Sequence, residues 1–257
     1  MEVIILDSDR QVAEMAAAIL VKQVQQKPDS VLGLATGSTM VEVYAGLCRA
    51  QLDFSGVRTF NLDEYVGLAP THPSSYHSFM REHLFEKVNL KPENCRVPDG
   101  LAGDIPGHCA AYEQAIEAAG GIDIQLLGIG EDGHIAFNEP GSSLASRTRI
   151  KVLTPITRAS NARHFPPGEE VPLHVLTMGV GTILEARRCL LLAWGEKKAA
   201  AIQAMVEGPV TAMCPSSALQ LHPVVTVILD RLAADRLSLK AYFRRVYETK
   251  PDWQREV

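Results

Sequence analysis

The sequence predicts a doubly wound α/β fold: one mostly parallel sheet with helices on both faces. Three observations point there. Short apolar runs alternate with longer segments of helical period along the whole chain. Some of the runs, such as IDIQLLGI at Ile122–Ile129, are apolar at successive positions, as suits strands covered on both faces. Segments rich in glycine, hydroxyls or charge follow four of the runs, at the carboxyl strand ends where such sheets bind ligands.

In chain order, Val3–Leu6 reads as the first strand, and Ser8 or Asp9 caps an Ala-rich helix over about 11–26. Val31–Ala35 is a second strand, and after Thr36-Gly37-Ser38-Thr39 a helix runs over about 40–52. Val57–Leu62 is a third strand, with helices expected over 74–88 and 106–119 before the strand at Ile122–Ile129. The second half repeats the rhythm: strands at His174–Met178 and Cys189–Trp194, a helix over 196–206, a last strand at Val224–Leu229 and a closing helix over 237–247. Between them Ser142–Pro172 is polar, rich in Arg, Pro and Thr, and poorly periodic, which predicts a lid or binding loop. No internal repeat, low-complexity tract or linker divides the chain, so one domain over 1–257 is expected, Rossmann-like in layout.

A chain of 257 residues buries a sizeable core without disulfide or metal staples. With 46% hydrophobic and 21% charged residues it is neither disordered nor collagen-like. Twenty-five Lys+Arg against 30 Asp+Glu give a formal charge of −5, and no basic run follows a nucleic-acid backbone or an anionic membrane. Any anionic ligand must therefore be held by a few local groups. The N-terminus lacks the basic flank and apolar stretch of a signal peptide, and no segment reaches the ~20 apolar residues of a membrane span. Cysteines 48, 95, 109, 189 and 214 are odd in number and scattered, as expected of reduced thiols. A cytoplasmic protein is the expectation.

Four segments carry candidate chemistry. In Thr36–Thr39 a strand ends in a glycine turn with hydroxyls at a helix start, which reads either as an anion site or as an ordinary N-cap. It matches neither G-x-G-x-x-G nor G-x-x-x-x-G-K-[ST], so neither a dinucleotide nor a nucleoside triphosphate is indicated. Asp63-Glu64 directly follows a strand; there a carboxylate is either a proton-transfer base in poor solvent or a solvated loop pair. Gly130–Pro140 surrounds Asp132 and His134 with glycines; residues i and i+2 of an extended stretch share a side, and Glu139 is placed to return and orient the ring. A metal site and a structural His are the alternatives, the metal weakened because no second His lies at ligand spacing. Arg163 in the expected lid, and Lys197-Lys198 at a helix start, are candidate anion ligands or solvated surface charges.

Together these segments resemble the glucosamine/galactosamine-6-phosphate isomerase family, the glucosamine-6-phosphate deaminases. The resemblance rests on LGLATGST (32–39), FNLDEYVGL (60–68), HPSSYHSFM (72–80), GEDGHIAFNEPGSSLASRTRIKVLT (130–154), LTMGVGT (176–182), GEKKAAAIQAMVEG (195–208) and LQLHP (219–223). DGH is shared with the related 6-phosphogluconolactonases, whereas AFNEP is characteristic of the deaminases. The resemblance implies that Asp63 moves a proton from C2 to C1 of the substrate, and that Asp132, His134 and Glu139 open the sugar ring. It further implies that Gly37, Ser38, Thr39, Arg163 and Lys198 hold the phosphate, and that Gly133, His134 and Ala136 line the sugar. The implied ligand is a small amino sugar phosphate, with no nucleic acid, membrane, metal or organic cofactor; lactone hydrolysis is the alternative activity.

One position departs from the family pattern. Met40 stands where many relatives carry Pro, which is expected to loosen the turn. Ser142, Arg149 and Lys151 match an allosteric set that binds N-acetylglucosamine 6-phosphate between subunits of a hexamer in some members. The chain ends at Val257, shorter than those members, so activation and a homo-oligomer are both left open.

Overall fold

The computed structural model describes residues 1–254. Strand β1 (Glu2–Leu6) leads to α1 (Asp9–Gln26), whose first turn is closed by Ser8 Oγ accepting from the Gln11 N–H. There follow β2 (Val31–Leu34), α2 (Ser38–Arg49), β3 (Arg58–Asn61), β4 (Asp63–Tyr65) and the short α3 (Tyr76–Met80). Next come β5 (Cys95–Arg96), α4 (Ile105–Ala118), β6 (Ile124–Leu127), β7 (Arg149–Val152), α5 (Pro155–Asn161) and β8 (His174–Thr177). The chain closes with α6 (Val180–Leu184), β9 (Cys189–Ala193), α7 (Ala199–Glu207), β10 (Val225–Asp230) and α8 (Lys240–Glu248).

Seven strands form one sheet in the order β1-β10-β9-β6-β2-β3-β5, and every neighbouring pair is parallel. From β2 the chain winds outward to β5, and from β6 it winds back to β1. With right-handed crossovers, α1 and α2 therefore cover one face, packed on each other, and α4, α6 and α7 the opposite face. The main core follows this sheet, with Leu32, Leu34, Leu126, Leu127, Leu190 to Leu192 and Val227 to Leu229 buried. The reversal of winding lies between β2 and β6, and it opens a crevice at their carboxyl ends. No helix among the described residues is long and apolar enough to cross a membrane.

The segment expected as a strand of the main sheet at 174–178 lies elsewhere. As β8 it is the middle of a separate antiparallel sheet, β4-β8-β7. Leu62 is the transfer point. Its N–H still donates to Leu34 O at 3.2 Å, but its carbonyl accepts from Met178 N at 2.7 Å. The next residue, Asp63, is then paired with Thr177. The polar segment 142–172 also holds more structure than expected: β7, then α5, which begins as Thr154-Pro155 with Thr154 Oγ1 accepting from Thr157 N–H. A second apolar cluster (Tyr65, Phe137, Leu153, Phe165, Val171, Val175) sits beneath this sheet. Two expected helices are also divided. The one over 74–88 becomes α3 followed by a π-helical turn at Arg81–Phe85, and the one over 196–206 begins with a 3-10 turn. All five cysteines are free.

Candidate active site

The crevice between β2 and β6 deepens into a cavity of about 510 Å³. Its floor is built from the strand ends: Ala35–Val41 after β2, Leu62-Asp63 after β3, Gly128–Asp132 and His134 after β6, and Lys198 after β9. Tyr65, Tyr76 and Phe137 form one wall, and Thr157, Asn161, Arg163 and His164 from α5 and the turn beyond it form another.

One end of the cavity gathers groups of the kind that attract an anion. Gly37, with φ of 110°, occupies the N-cap of α2 in a backbone region that side chains rarely adopt, and the Ser38 and Thr39 hydroxyls and N–H groups follow it. Met40 adds a bond to this turn that proline would lack, its N–H donating to Gly37 O at 2.9 Å, and its side chain is buried. Lys198 is tethered across the crevice, donating to Ile129 O at 2.7 Å. Desolvation, against the attraction of Glu131, holds the Lys198 ammonium below its usual range, so an incoming dianion restores what burial took away. Arg163, on the lid side, has no carboxylate partner among the described residues.

Asp63 lies in the driest part. It is 6% exposed, and no donor among the described residues reaches its carboxylate. Burial first, and then the neighbouring Glu64, push its pKa well above the ordinary carboxylate range. Glu64 is buried too, but differently. It accepts from the N–H groups of Tyr65 (2.8 Å), Tyr76 (3.1 Å) and His77 (3.1 Å) and from Ser75 Oγ (2.6 Å). Burial still raises its pKa, with those donors pulling the other way. With four donors on one carboxylate and none on the other, negative charge is better held on Glu64, and Asp63 is the carboxylate more ready to take up a proton.

His134 stands opposite. Its Nδ1 lies 2.6 Å from Asp132 Oδ1 and 3.7 Å from Glu139 Oε2, while its N–H also donates to Asp132 Oδ1 at 3.2 Å. The ring lies so close to Gly130 that a Cβ there would come within 2.2 Å of it, so only glycine serves. Ala136 holds φ of 49°, a strained value for a residue with a side chain, on the cavity wall. Desolvation works against ionising Asp132, but contact with His134 outweighs it and carries the pKa below the usual range. Glu139 is anchored from behind, its Oε1 accepting from Thr154 N (3.1 Å) and Thr154 Oγ1 (3.3 Å). Among the described residues, Asp132, His134 and Glu139 are the one group of ligand-type side chains whose donor atoms lie within 4.8 Å of one another. The 2.6 Å between His134 Nδ1 and Asp132 Oδ1 is nonetheless shorter than the roughly 3.3 Å edge of a tetrahedral zinc site, so the group as it stands is not spaced for one.

Of the residues singled out in the sequence, Gly37, Ser38, Thr39, Asp63, Asp132, His134, Ala136, Arg163 and Lys198 line the cavity. Gly133 and Glu139 lie behind the wall, Gly133 against Cys214 and Glu139 against α5. Ser142, Arg149 and Lys151 are outside the cavity. Ser142 Oγ is buried without a partner among the described residues, and so is Arg149 Nη2; burial lowers the Arg149 pKa. The aromatic wall was not singled out. Tyr76 OH donates to Tyr65 OH at 3.3 Å and Asn161 Nδ2 donates to it at 2.9 Å, tying α3, β4 and α5 at one oxygen. Tyr65 and Tyr76 fall inside the family-like motifs FNLDEYVGL and HPSSYHSFM, which were the available signal.

Residues 7–228 match the family model described as glucosamine-6-phosphate isomerases/6-phosphogluconolactonase. The glucosamine-6-phosphate deaminase of Arthrobacter sp. (strain FB24) is 55% identical over 258 residues, spanning 99% of each chain. That of Streptomyces avermitilis is 53% identical over 259 residues, again 99% of each. A solved structure described as a monomeric glucosamine-6-phosphate deaminase superposes with a TM-score of 0.90 at 44% identity, covering 92% of this chain and 100% of that one. The 6-phosphogluconolactonase of Trypanosoma cruzi, at 22% identity and a TM-score of 0.73 over 92% of this chain and 97% of its own, shares the fold. On these matches, and on a cavity at the same strand ends that carry the motifs, the chain belongs to the glucosamine-6-phosphate isomerase/6-phosphogluconolactonase family.

Proposed function

We propose that this protein is a glucosamine-6-phosphate deaminase of amino sugar metabolism, converting glucosamine 6-phosphate and water to fructose 6-phosphate and ammonia. The observation that carries the reading is the pairing, across one cavity, of a dry and donor-free Asp63 with the His134 cluster, beside an anion site. Relatives of 50% identity and more bear the deaminase name, whereas the Trypanosoma cruzi lactonase is 22% identical.

In this proposal the phosphate docks on Gly37, Ser38 and Thr39, with Lys198 and Arg163 supplying the cationic contacts. That grip sets the sugar over His134, which takes the proton of the C1 hydroxyl and returns one to the ring oxygen as the C1–O bond breaks; Asp132 and Glu139 orient the imidazole. Asp63 then removes the C2 proton from the open aldehyde while the C1 oxygen takes up the proton that the C2 ammonium loses, and an enolamine forms. Asp63 delivers the proton to C1, leaving an iminium at C2. Water adds there and ammonia departs, which leaves the ketose. A carboxylate in poor solvent, with its pKa raised by burial and by Glu64, is a stronger base than a solvated one and suits abstraction of a weakly acidic carbon-bound proton. Nothing in this sequence of proton transfers calls on a metal or organic cofactor.

Ser142, Arg149 and Lys151 remain a proposal as an effector set. The unpaired Ser142 Oγ and Arg149 Nη2 support a polar ligand on that face. Without a long apolar helix among the described residues, a cytoplasmic setting belongs to the same proposal. The test is ammonia release from glucosamine 6-phosphate and from its galactosamine epimer, with and without N-acetylglucosamine 6-phosphate. Ammonia from an amino sugar phosphate is the expected result. Rapid hydrolysis of 6-phosphogluconolactone with no ammonia from either epimer would overturn the reading.

A further inference from the structure

Arg163 differs from Arg147 and Arg158 in how it is held. Arg147 is ion-paired with Glu113 and Glu185, and Arg158 with Glu170. Arg163 has no carboxylate partner among the described residues. Its Nε donates instead to Nε2 of its neighbour His164 at 3.1 Å. Both residues line the cavity. The turn that presents them, Ala162–His164, is fixed at two points: Ser74 Oγ donates to His164 O at 2.9 Å, and the next residue, Phe165, is buried against the Tyr65 ring with centroids 5.2 Å apart.

The choice of acceptor matters for what Arg163 does next. A carboxylate would orient the guanidinium but also neutralise it, and would compete with an arriving anion. A neutral imidazole orients it without adding charge. Because only Nε is engaged, both terminal nitrogens are left for a bidentate grip on an anion. This needs the tautomer with its proton on Nδ1. Partial burial first, and then the Arg163 cation, lower the His164 pKa, which favours that neutral form.

We propose that His164 is a positioning residue for the phosphate subsite: its Nε2 acceptor pre-orients Arg163 for the substrate's phosphate while leaving the arginine's charge unspent. This rests on the deaminase reading for the identity of the substrate, but not for the anion.

The experiment uses the purified full chain with three replacements, His164→Ala, His164→Phe and His164→Gln, each checked for folding by circular dichroism. Gln is chosen because its Oε1 accepts where Nε2 did, whereas Phe keeps the ring and removes the acceptor. Binding of inorganic phosphate is measured by calorimetry, and KM and kcat for glucosamine 6-phosphate by ammonia release. A hydrogen bond to a charged group in a solvent-accessible site predicts phosphate binding weakened about three- to tenfold in the Ala and Phe variants. KM should rise in step with kcat within about twofold, and His164→Gln should restore both binding and KM to near the parent values. Unchanged phosphate affinity in both Ala and Phe variants would overturn the proposal. So would a Gln variant as weak as Phe, since shape rather than the acceptor would then be responsible. Phosphate binding that follows this pattern in a protein releasing no ammonia would sustain the His164 role and defeat the deaminase reading instead.

Discussion

Two regions meet across the cavity, and they treat acidic groups in opposite ways. On the side of the antiparallel sheet, β4 holds the Asp63 carboxylate buried, beside Glu64 and with no donor among the described residues, so its pKa is kept well above the usual range. On the side of the parallel sheet, the loop after β6 surrounds Asp132 with the ring and N–H of His134, and its proton is lost below that range. Burial disfavours both anions; what differs is the partner set. In the proposed mechanism one region readies a base by isolation and the other an oriented imidazole by pairing, so the same residue type would serve two purposes a few side chains apart.

The largest effect should come from the isolated side. Asp63→Asn is expected to lower kcat by about 10³-fold or more, at the upper part of the range for a lost general base. The same change should stabilise the protein. A carboxyl whose folded pKa lies above its unfolded value contributes stability below the unfolded pKa, and that contribution is lost as pH rises through the folded pKa. At neutral pH and above, Asn therefore removes a deficit, and Tm should rise by about 2–4 °C for each kcal/mol recovered. Asp132→Asn should show the opposite slope. Its carboxylate stabilises the fold above the unfolded pKa, and the advantage of the parent protein should vanish as pH falls through the depressed folded value. Thermal unfolding of both variants between pH 2.5 and 9 reads the two signs directly. Parallel pH profiles for the two differences would break the comparison.

On the paired side, Glu139→Gln is expected to cost about 10²-fold in kcat, with KM within a few-fold. Glutamine keeps an oxygen for Thr154 but places an amide where the carboxylate Oε2 faces His134 Nδ1 at 3.7 Å. Steady-state kinetics on glucosamine 6-phosphate check this. A kcat within twofold of the parent would remove Glu139 from the ring-opening set.

The same division explains what was legible in the sequence. The floor of the site follows strands of the parallel sheet, each a continuous apolar run ending in a local motif. Thr36–Thr39, Asp63 and Asp132–His134 could therefore be located from short stretches of chain. Their individual roles came from the family resemblance. The wall was not legible, because its sheet joins β4 to β8 across more than a hundred residues, and a three-residue strand reading Asp-Glu-Tyr shows no periodicity. The charges in Arg-Ile-Lys-Val masked β7 as loop, although alternation is there on inspection. The Tyr65 hydroxyl junction and the Arg163–His164 contact depend on where rings point, which spacing does not encode.

Thr154 is where the two regions touch, and it gives the smallest and sharpest test. Its N–H and hydroxyl both donate to Glu139 Oε1, and the hydroxyl also accepts from Thr157 N–H at 3.2 Å to start α5. That helix carries Asn161 to the Tyr65 hydroxyl and leads into the turn of Arg163. Thr154→Val keeps the shape and the backbone bond to Glu139 but deletes the hydroxyl. Loss of the N-cap costs about 1 kcal/mol, a fall in Tm of about 2–4 °C. If the hydroxyl serves the wall, the loosened α5 raises KM about two- to fivefold and leaves kcat nearly unchanged, with Thr154→Ser restoring both. If it serves the ring-opening set, kcat falls towards the Glu139→Gln value while KM holds. The geometry favours the first outcome, because the backbone N–H at 3.1 Å still holds Glu139 after the hydroxyl has gone.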